Sequence, residues 1–162
     1  ELLFLPAGGA RGVLAIVPII TGRDESPPFV ILDSDQLGIA AAKQLRSGPV
    51  YAGDAGKRIV SVGDLLSMPG AEVEDMVPHD VMVDAFGRVA RGESEDFSDV
   101  AAPGKPIVPQ MEAFAARHKH DLPPGWKVDL SRSVKARLLA QKDFDDGVVA
   151  LWARAFAQFG VG

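Results

Sequence analysis

The strongest constraint on the fold is a continuous apolar run, Phe29-Val-Ile-Leu32, that ends in Asp33-Ser34-Asp35. A short, uninterrupted apolar run bounded by turn residues is typical of a parallel strand that is buried on both faces. Pro27 and Pro28 break the chain just before it. The run therefore predicts a central strand of an open α/β sheet. Its carboxyl end, where such sheets bind ligands, carries two carboxylates.

Strand and helix patterns alternate around this run. The other predicted elements of the first half are a strand at Leu2–Leu5, a buried helix at Val13–Ile20, a helix at Gln36–Leu45, a strand at Arg58–Val62, and a helical stretch from Gly70 to about Arg91 that breaks at Pro78. Alternation of this kind implies a parallel sheet flanked by helices. The predicted fold class is therefore α/β.

The second half of the chain is predicted to be mostly helical. Residues 93–109 are polar and rich in proline and glycine, which indicates a loop. Two closing helices are predicted, Ser131–Lys142 with Ser131 as its cap and Asp145–Phe159 with an apolar stripe that faces the core. The stripe consists of Val148, Val149, Trp152, Phe156 and Phe159. The predicted domains are a core at 1–92, a loop with a short helix at 93–125 and a C-terminal helical appendage at 126–162.

Composition narrows the chemistry. The sequence has no cysteine, so a metal ion would need oxygen or imidazole ligands. The net charge of −5 argues against extensive wrapping of nucleic acid, although basic residues are concentrated near the C-terminus. No stretch approaches the roughly 18 apolar residues that suggest a membrane span, so we expect a cytoplasmic protein without membrane contact.

Two acidic clusters could bind a cation. Asp33 and Asp35 follow the central strand, while Glu72, Glu74 and Asp75 follow the strand predicted at 58–62. Neighbouring carboxylates repel each other, and a divalent cation relieves that repulsion. The alternative is structural: Asp35 would cap the next helix, Asp33 would be a turn residue, and the second cluster would interact favourably with a helix dipole.

Three segments occur in an order that resembles a known family. They are Phe4-Leu-Pro-Ala-Gly-Gly9, Phe29-Val-Ile-Leu-Asp-Ser-Asp35 with Gly38, and Ala71-Glu-Val-Glu-Asp-Met-Val-Pro78. The series is similar to the C-terminal Toprim region of OLD-family (overcoming lysogenization defect) nucleases and covers roughly residues 3–80. The resemblance implies a Toprim-like parallel sheet and a metal-dependent DNA endonuclease.

The resemblance also implies a mechanism and partners. Asp33, Asp35 and members of the second cluster would hold Mg²⁺ or Mn²⁺ for two-metal hydrolysis of phosphodiesters. Lys135 would offset charge on the phosphate, with Arg132 and Arg137 as alternatives. The family pattern further implies DNA as substrate, an upstream ATPase domain and a homodimer. One departure matters: the family's Glu-Gly motif lies upstream of these segments, and Glu1 is not followed by Gly.

Two rival functions remain open. In a haloacid-dehalogenase-type phosphatase, the first Asp of such a motif would be the nucleophile, but Thr or Val is expected where this chain has Leu37. A Toprim-like module that binds DNA or a protein without cutting would agree with the missing glutamate. Gly8-Gly9 is interpreted as a tight turn and not as a phosphate cradle. His79, His118 and His120 lack the spacing of a zinc site, and His118 and His120 are expected to be exposed.

Overall fold

The computed structural model describes residues 3–22, 26–90 and 95–160. Its helices are α1 (Ala10–Thr21), α2 (Gln36–Ser47), α3 (Val62–Leu66), α4 (His79–Phe86), α5 (Phe97–Val100), α6 (Ile107–Arg117), α7 (Trp126–Ala140) and α8 (Asp146–Gln158). Its strands are β1 (Val30–Leu32) and β2 (Ile59–Ser61), and 3₁₀ turns cover Pro49–Tyr51, Gly53–Arg58 and Val73–Met76. Within the described ranges, every helix is too short or too polar to cross a membrane.

The chain forms two compact units. Unit 1 comprises the residues up to Val73 together with those from Ala150 onward, and unit 2 is Glu74–Val149. Both strands lie in unit 1, whereas α4, α5, α6 and α7 lie in unit 2. The mixed α/β fold predicted from the sequence is therefore confirmed at the level of a small sheet and surrounding helices.

The sheet in unit 1 is parallel, as predicted. Val30 pairs with Ile59 and Leu32 with Ser61, so both strands end at the same edge. Val30 and Leu32, which point to the same face of the sheet, are buried, whereas Ile31 on the opposite face is half-buried, so the burial predicted for both faces is complete on one of them. The core around them also contains Val17, Ala41, Ala42, Leu45, Tyr51 and Ile59. The predictions of α2 and of both strands are confirmed.

The predicted N-terminal strand is wrong in the part that the structure describes. Residues 3–5 form no strand, and Leu3 is 88% exposed. A strand requires a hydrogen-bonded neighbour, and the sheet consists of β1 and β2 paired with each other. Helix α1 begins one turn earlier than predicted, after Gly9, whose φ of 97° is a conformation that glycine adopts without strain.

Unit 2 is a helical cluster around aromatic side chains. Phe86 packs edge-on against Phe97 at 4.8 Å between ring centroids and against Trp126 at 5.9 Å. Phe114 completes the group at 5.4 Å from Phe97. The polar stretch predicted as a loop therefore contains an anchoring aromatic residue, and it carries α5 and the start of α6; its residues 93 and 94 lie outside the described ranges.

Two predictions on the closing helices are corrected. Helix α7 begins after Gly125, whose φ is 85°, so Ser131 lies inside the helix, where its hydroxyl donates to the Val128 carbonyl at 2.7 Å. The buried face of α8 is also offset from the predicted stripe: Leu151 and Ala155 are buried and Val149 is 54% exposed. Phe159 belongs to both sets and packs on Phe29 at 5.4 Å.

Tyr51 connects the core of unit 1 to the entry of β1, and this contact predicts a loss of stability in alkali. Its hydroxyl donates to the Pro28 carbonyl at 2.9 Å. Burial raises the pKa of the Tyr51 phenol above its ordinary value, and the nearby charge of Arg58 lowers it by less. Unfolded tyrosine titrates near pH 10, so the free energy of unfolding should fall as the pH rises above about 10.

Denaturant unfolding of the parent and Tyr51→Phe at several pH values measures this effect. The variant should lose about 1 kcal/mol at neutral pH, because one hydrogen bond is gone, and it should lose less stability in alkali. Tyr51 is the only tyrosine in the sequence, so tyrosinate absorbance reports its pKa directly. An ordinary pKa in the folded chain would contradict the prediction.

Candidate functional site

Asp33-Ser34-Asp35 connects the end of β1 to the start of α2, and all three residues are half-buried. Asp35 is the N-cap of α2, and its Oδ1 accepts a hydrogen bond from the Gly38 amide at 2.6 Å. The capping role considered for Asp35 is therefore confirmed. A carboxylate has two oxygens, so capping by Oδ1 leaves Oδ2 as a potential ligand.

The Asp33 carboxylate is hydrogen-bonded to the segment at residues 71–73. Its Oδ1 accepts a hydrogen bond from the Val73 amide at 2.9 Å. The amide of Ser34 donates to the Ala71 carbonyl at 2.8 Å, so two hydrogen bonds fasten residues 71–73 to the acidic connection. Glu72 lies between the two contacts, and it is half-buried. Unit 1 thus places the backbone of Glu72 beside the Asp33-Ser34-Asp35 connection.

Glu74 and Asp75 belong to unit 2 and make contacts there. The Glu74 carboxylate lies 3.6 Å from the Lys127 ammonium. Asp75 Oδ1 accepts a hydrogen bond from the Ile107 amide at 2.7 Å, at the first residue of α6. The alternative considered for the cluster placed its acids in a first helical turn, and Glu74 and Asp75 do lie in the first turn of Val73–Met76; the contact of Asp75 with α6 is an additional one.

Asp33 and Asp35 are separated along the chain by Ser34 alone, and each has one carboxylate oxygen bonded to a backbone amide. In residues 3–22, 26–90 and 95–160, no three Asp, Glu or His side chains are grouped as they would be around one metal ion. Mg²⁺ dehydrates reluctantly and is commonly bound by one or two carboxylates, with water and substrate phosphate completing its shell. The donor chemistry of Asp33 and Asp35 therefore fits such an ion.

The three candidate cations lie on α7 in unit 2. Arg132 pairs with Asp129 at 2.8 Å, and Arg137 pairs with Asp84. Lys135 is exposed, and no hydrogen bond or ion pair joins it to another residue of the described ranges. Of the three, Lys135 is the cation that can bind an external anion without first breaking an ion pair with an acidic side chain.

The histidines do not form a site together. His118 is half-buried, so its predicted exposure is wrong: the ring lies 3.2 Å from the Glu95 carboxylate and 4.4 Å from the centroid of Phe114. His120 is also half-buried. His79 begins α4, and its Nε2 is buried without a hydrogen-bond partner among the described residues.

Two glycines enclose the acidic connection. A Cβ at Gly38 would overlap the Asp33 carbonyl oxygen, and a Cβ at Gly63 would lie 2.9 Å from the Met68 carbonyl oxygen. Gly38 belongs to the motif recognised in the sequence. Gly63 and its partner Ser34 were missed, because they are far apart along the chain and no local pattern signals their contact.

Comparisons with known proteins identify no relative. No family model, curated protein or solved structure matches the chain.

The packing at Gly38 predicts a stability cost that is specific to this site. Gly38→Ala should lower the free energy of unfolding by about 1–3 kcal/mol, because the new methyl group has to displace the Asp33 carbonyl. Gly22→Ala is the matched control, since its φ is −69° and the nearest atom to its Cβ is 3.5 Å away. Denaturant unfolding compares them, and equal stabilities of Gly38→Ala and the parent would contradict the described packing.

Proposed function

We propose that this chain is the nuclease part of an OLD-like protein, a Mg²⁺- or Mn²⁺-dependent endonuclease that hydrolyses DNA phosphodiesters in the cytoplasm. One observation supports it most: Asp33 and Asp35 lie together at the carboxyl end of a buried parallel strand, each with one carboxylate oxygen fixed by a backbone amide. Ligand sites of α/β sheets occur at this edge. Fixed carboxylates at such an edge are suited to a hard cation.

Asp33 and Asp35 would hold the ion, and Glu72 is the acid whose backbone unit 1 places beside them. Bound Mg²⁺ or Mn²⁺ would supply polarisation of a phosphate oxygen and a water molecule of lowered pKa. The backbone amides keep the carboxylates in place before any ion arrives, so little ordering is required on binding. Glu74 and Asp75 remain candidates that would first have to give up their contacts in unit 2.

Lys135 is proposed to offset negative charge on the phosphate. Its ammonium is exposed on α7, whereas Arg132 and Arg137 are engaged with acids. A lysine can act as a point charge on a phosphate oxygen without bidentate geometry. DNA as substrate, a homodimer and an upstream ATPase domain follow from the resemblance to OLD-family nucleases and belong to the same proposal.

A non-cleaving Toprim-like module is the second candidate. It is favoured by the contacts of Glu74 and Asp75 within unit 2, which engage two of the five candidate ligands. Such a module would bind a cation and DNA, or a partner protein, without hydrolysis. The phosphatase alternative has no comparable support, because Leu37 stands where that family pattern expects Thr or Val, and its side chain is 62% exposed.

Cation binding should raise the thermal midpoint of the chain. An ion that binds only the folded state stabilises it by about 1.4 kcal/mol at ten times its dissociation constant. For a chain of this length that corresponds to roughly 3–5 °C. Calorimetry with Mg²⁺ and Mn²⁺ measures the shift, and Asp33→Asn should abolish it while an Asn oxygen can still accept from Val73.

Asp64→Asn is the matched control for this experiment. Asp64 is an exposed acid in the first turn of α3 in unit 1, so its substitution changes the net charge equally and leaves the acid pair intact. The Asp64 variant should respond to the cation as the parent does. Equal responses of Asp33→Asn and the parent would place the cation site elsewhere.

Plasmid cleavage tests the proposed reaction. The product of the whole reading frame should nick or degrade DNA with Mg²⁺ or Mn²⁺, and Asp33→Ala should eliminate cleavage. Lys135→Ala should slow cleavage by about tenfold or more, with little change in cation affinity, since its role is on the phosphate.

A small phosphomonoester, assayed in parallel, separates the rival functions. Hydrolysis of the monoester without nicking of the plasmid would overturn the nuclease and support the phosphatase. Cation-dependent binding of DNA without any hydrolysis would support the non-cleaving module. Full cleavage by Asp33→Ala would show that Asp33 is not needed to hold the catalytic cation.

A further inference from the structure

Ser34 lies between the two acids, and its contacts reach two other parts of unit 1. Its hydroxyl accepts a hydrogen bond from the Gly63 amide at 2.7 Å, and its own amide donates to the Ala71 carbonyl at 2.8 Å. Gly63 is in the first turn of α3, directly after β2. Ser34 therefore connects the end of β1 to the end of β2 and to residues 71–73.

The Gly63 contact leaves little freedom to the serine. A Cβ at Gly63 would lie 2.5 Å from the Ser34 hydroxyl oxygen and 2.9 Å from the Ser34 Cβ. Amides of the first helical turn lack partners within the helix, so an outside acceptor is needed. Ser34 supplies the acceptor for Gly63, and Ser61 supplies the one for Asp64 at 3.1 Å. Two serines thus satisfy neighbouring amides of α3.

We infer that Ser34 is the positioning residue of the Asp33 and Asp35 pair. The inference rests on the proposed function, because it assigns the serine a task in cation binding. Each carboxylate has one backbone contact of its own, at Val73 and at Gly38. Ser34 joins the two acids along the chain, and it is hydrogen-bonded to Gly63 through its hydroxyl and to Ala71 through its amide. A shift of Ser34 would therefore move both carboxylates.

Cation affinity provides the first test. In the 162-residue chain, titrated with Mn²⁺ alone, Ser34→Ala should weaken binding by about tenfold, as the loss of outer-shell partners commonly does. Ser61→Ala is the matched control: it removes the same hydroxyl and the same kind of amide contact in the same turn, but the hydroxyl of Ser61 accepts from Asp64 of α3 and Ser61 does not join the two acids along the chain. Its Mn²⁺ affinity should stay within about twofold of the parent, because the lost hydrogen bond is to the Asp64 amide and not to the segment that carries the two ligands.

Ser34→Thr is the conservative variant. It retains the hydroxyl acceptor for Gly63 and should recover most of the affinity that Ser34→Ala loses. Equal losses in Ser34→Ala and Ser61→Ala, or an unchanged affinity in Ser34→Ala, would overturn the positioning role. Loss of Mn²⁺ binding in Asp33→Asn together with unchanged binding in Ser34→Ala would leave the proposed cation site standing and remove this inference alone.

Amide hydrogen exchange provides a second test that needs no cation. The Val73 amide donates to Asp33, so its exchange reports how firmly that carboxylate is placed. Ser34→Ala should accelerate exchange at Val73 by about tenfold, which is the effect of losing roughly 1.4 kcal/mol of local protection. Ser61→Ala should leave the Val73 rate unchanged. An unchanged Val73 rate in Ser34→Ala would refute the inference even in a chain that binds no Mn²⁺.

Discussion

The parallel pairing of β1 with β2 is the constraint on which the candidate site depends. Two parallel strands in register end at one edge, so the segments that leave them emerge side by side. At this edge Asp33-Ser34-Asp35 follows β1, and Gly63, in the first turn of α3, lies two residues beyond the end of β2. A hydrogen bond joins Ser34 to Gly63 at that edge. Two further hydrogen bonds join Ser34 to Ala71 and Asp33 to Val73. Each of these contacts presupposes the strand pairing.

The sequence was sufficient for the parts of the site that leave a local pattern. A continuous apolar run predicts β1, and a helical spacing predicts α2, so the position of Asp33 and Asp35 at a sheet edge could be anticipated. The contacts of Ser34 could not, because its partner Gly63 lies 29 residues away and either residue alone suits many turns. The same reason explains Asp75, whose partner Ile107 is 32 residues distant. The local sequence identifies the acidic residues, but the hydrogen bonds that each acid makes depend on residues far away in the sequence.

The partners of the charged side chains differ between the two units, which the net charge of the chain does not show. In unit 2, Arg132 and Arg137 form ion pairs with Asp129 and Asp84, so their charges are offset by acids of the same unit. In unit 1, Asp33 and Asp35 accept hydrogen bonds from uncharged backbone amides. Amide dipoles orient a carboxylate without cancelling its charge. The two carboxylates of unit 1 are therefore oriented by neutral donors, whereas Arg132 and Arg137 of unit 2 are oriented by charged partners.

The hydrogen bond from Val73 to Asp33 spans 40 residues of chain, which has a consequence for the order of folding. A contact of this separation forms only after a long loop has closed, and the entropy of closure has to be overcome before the contact contributes. A helix such as α2 can form from neighbouring residues, but the acidic edge requires β1, β2 and residues 71–73 at once. The acidic edge therefore forms after α2, so a cation bound there would stabilise tertiary structure that is already assembled and would not nucleate an early element.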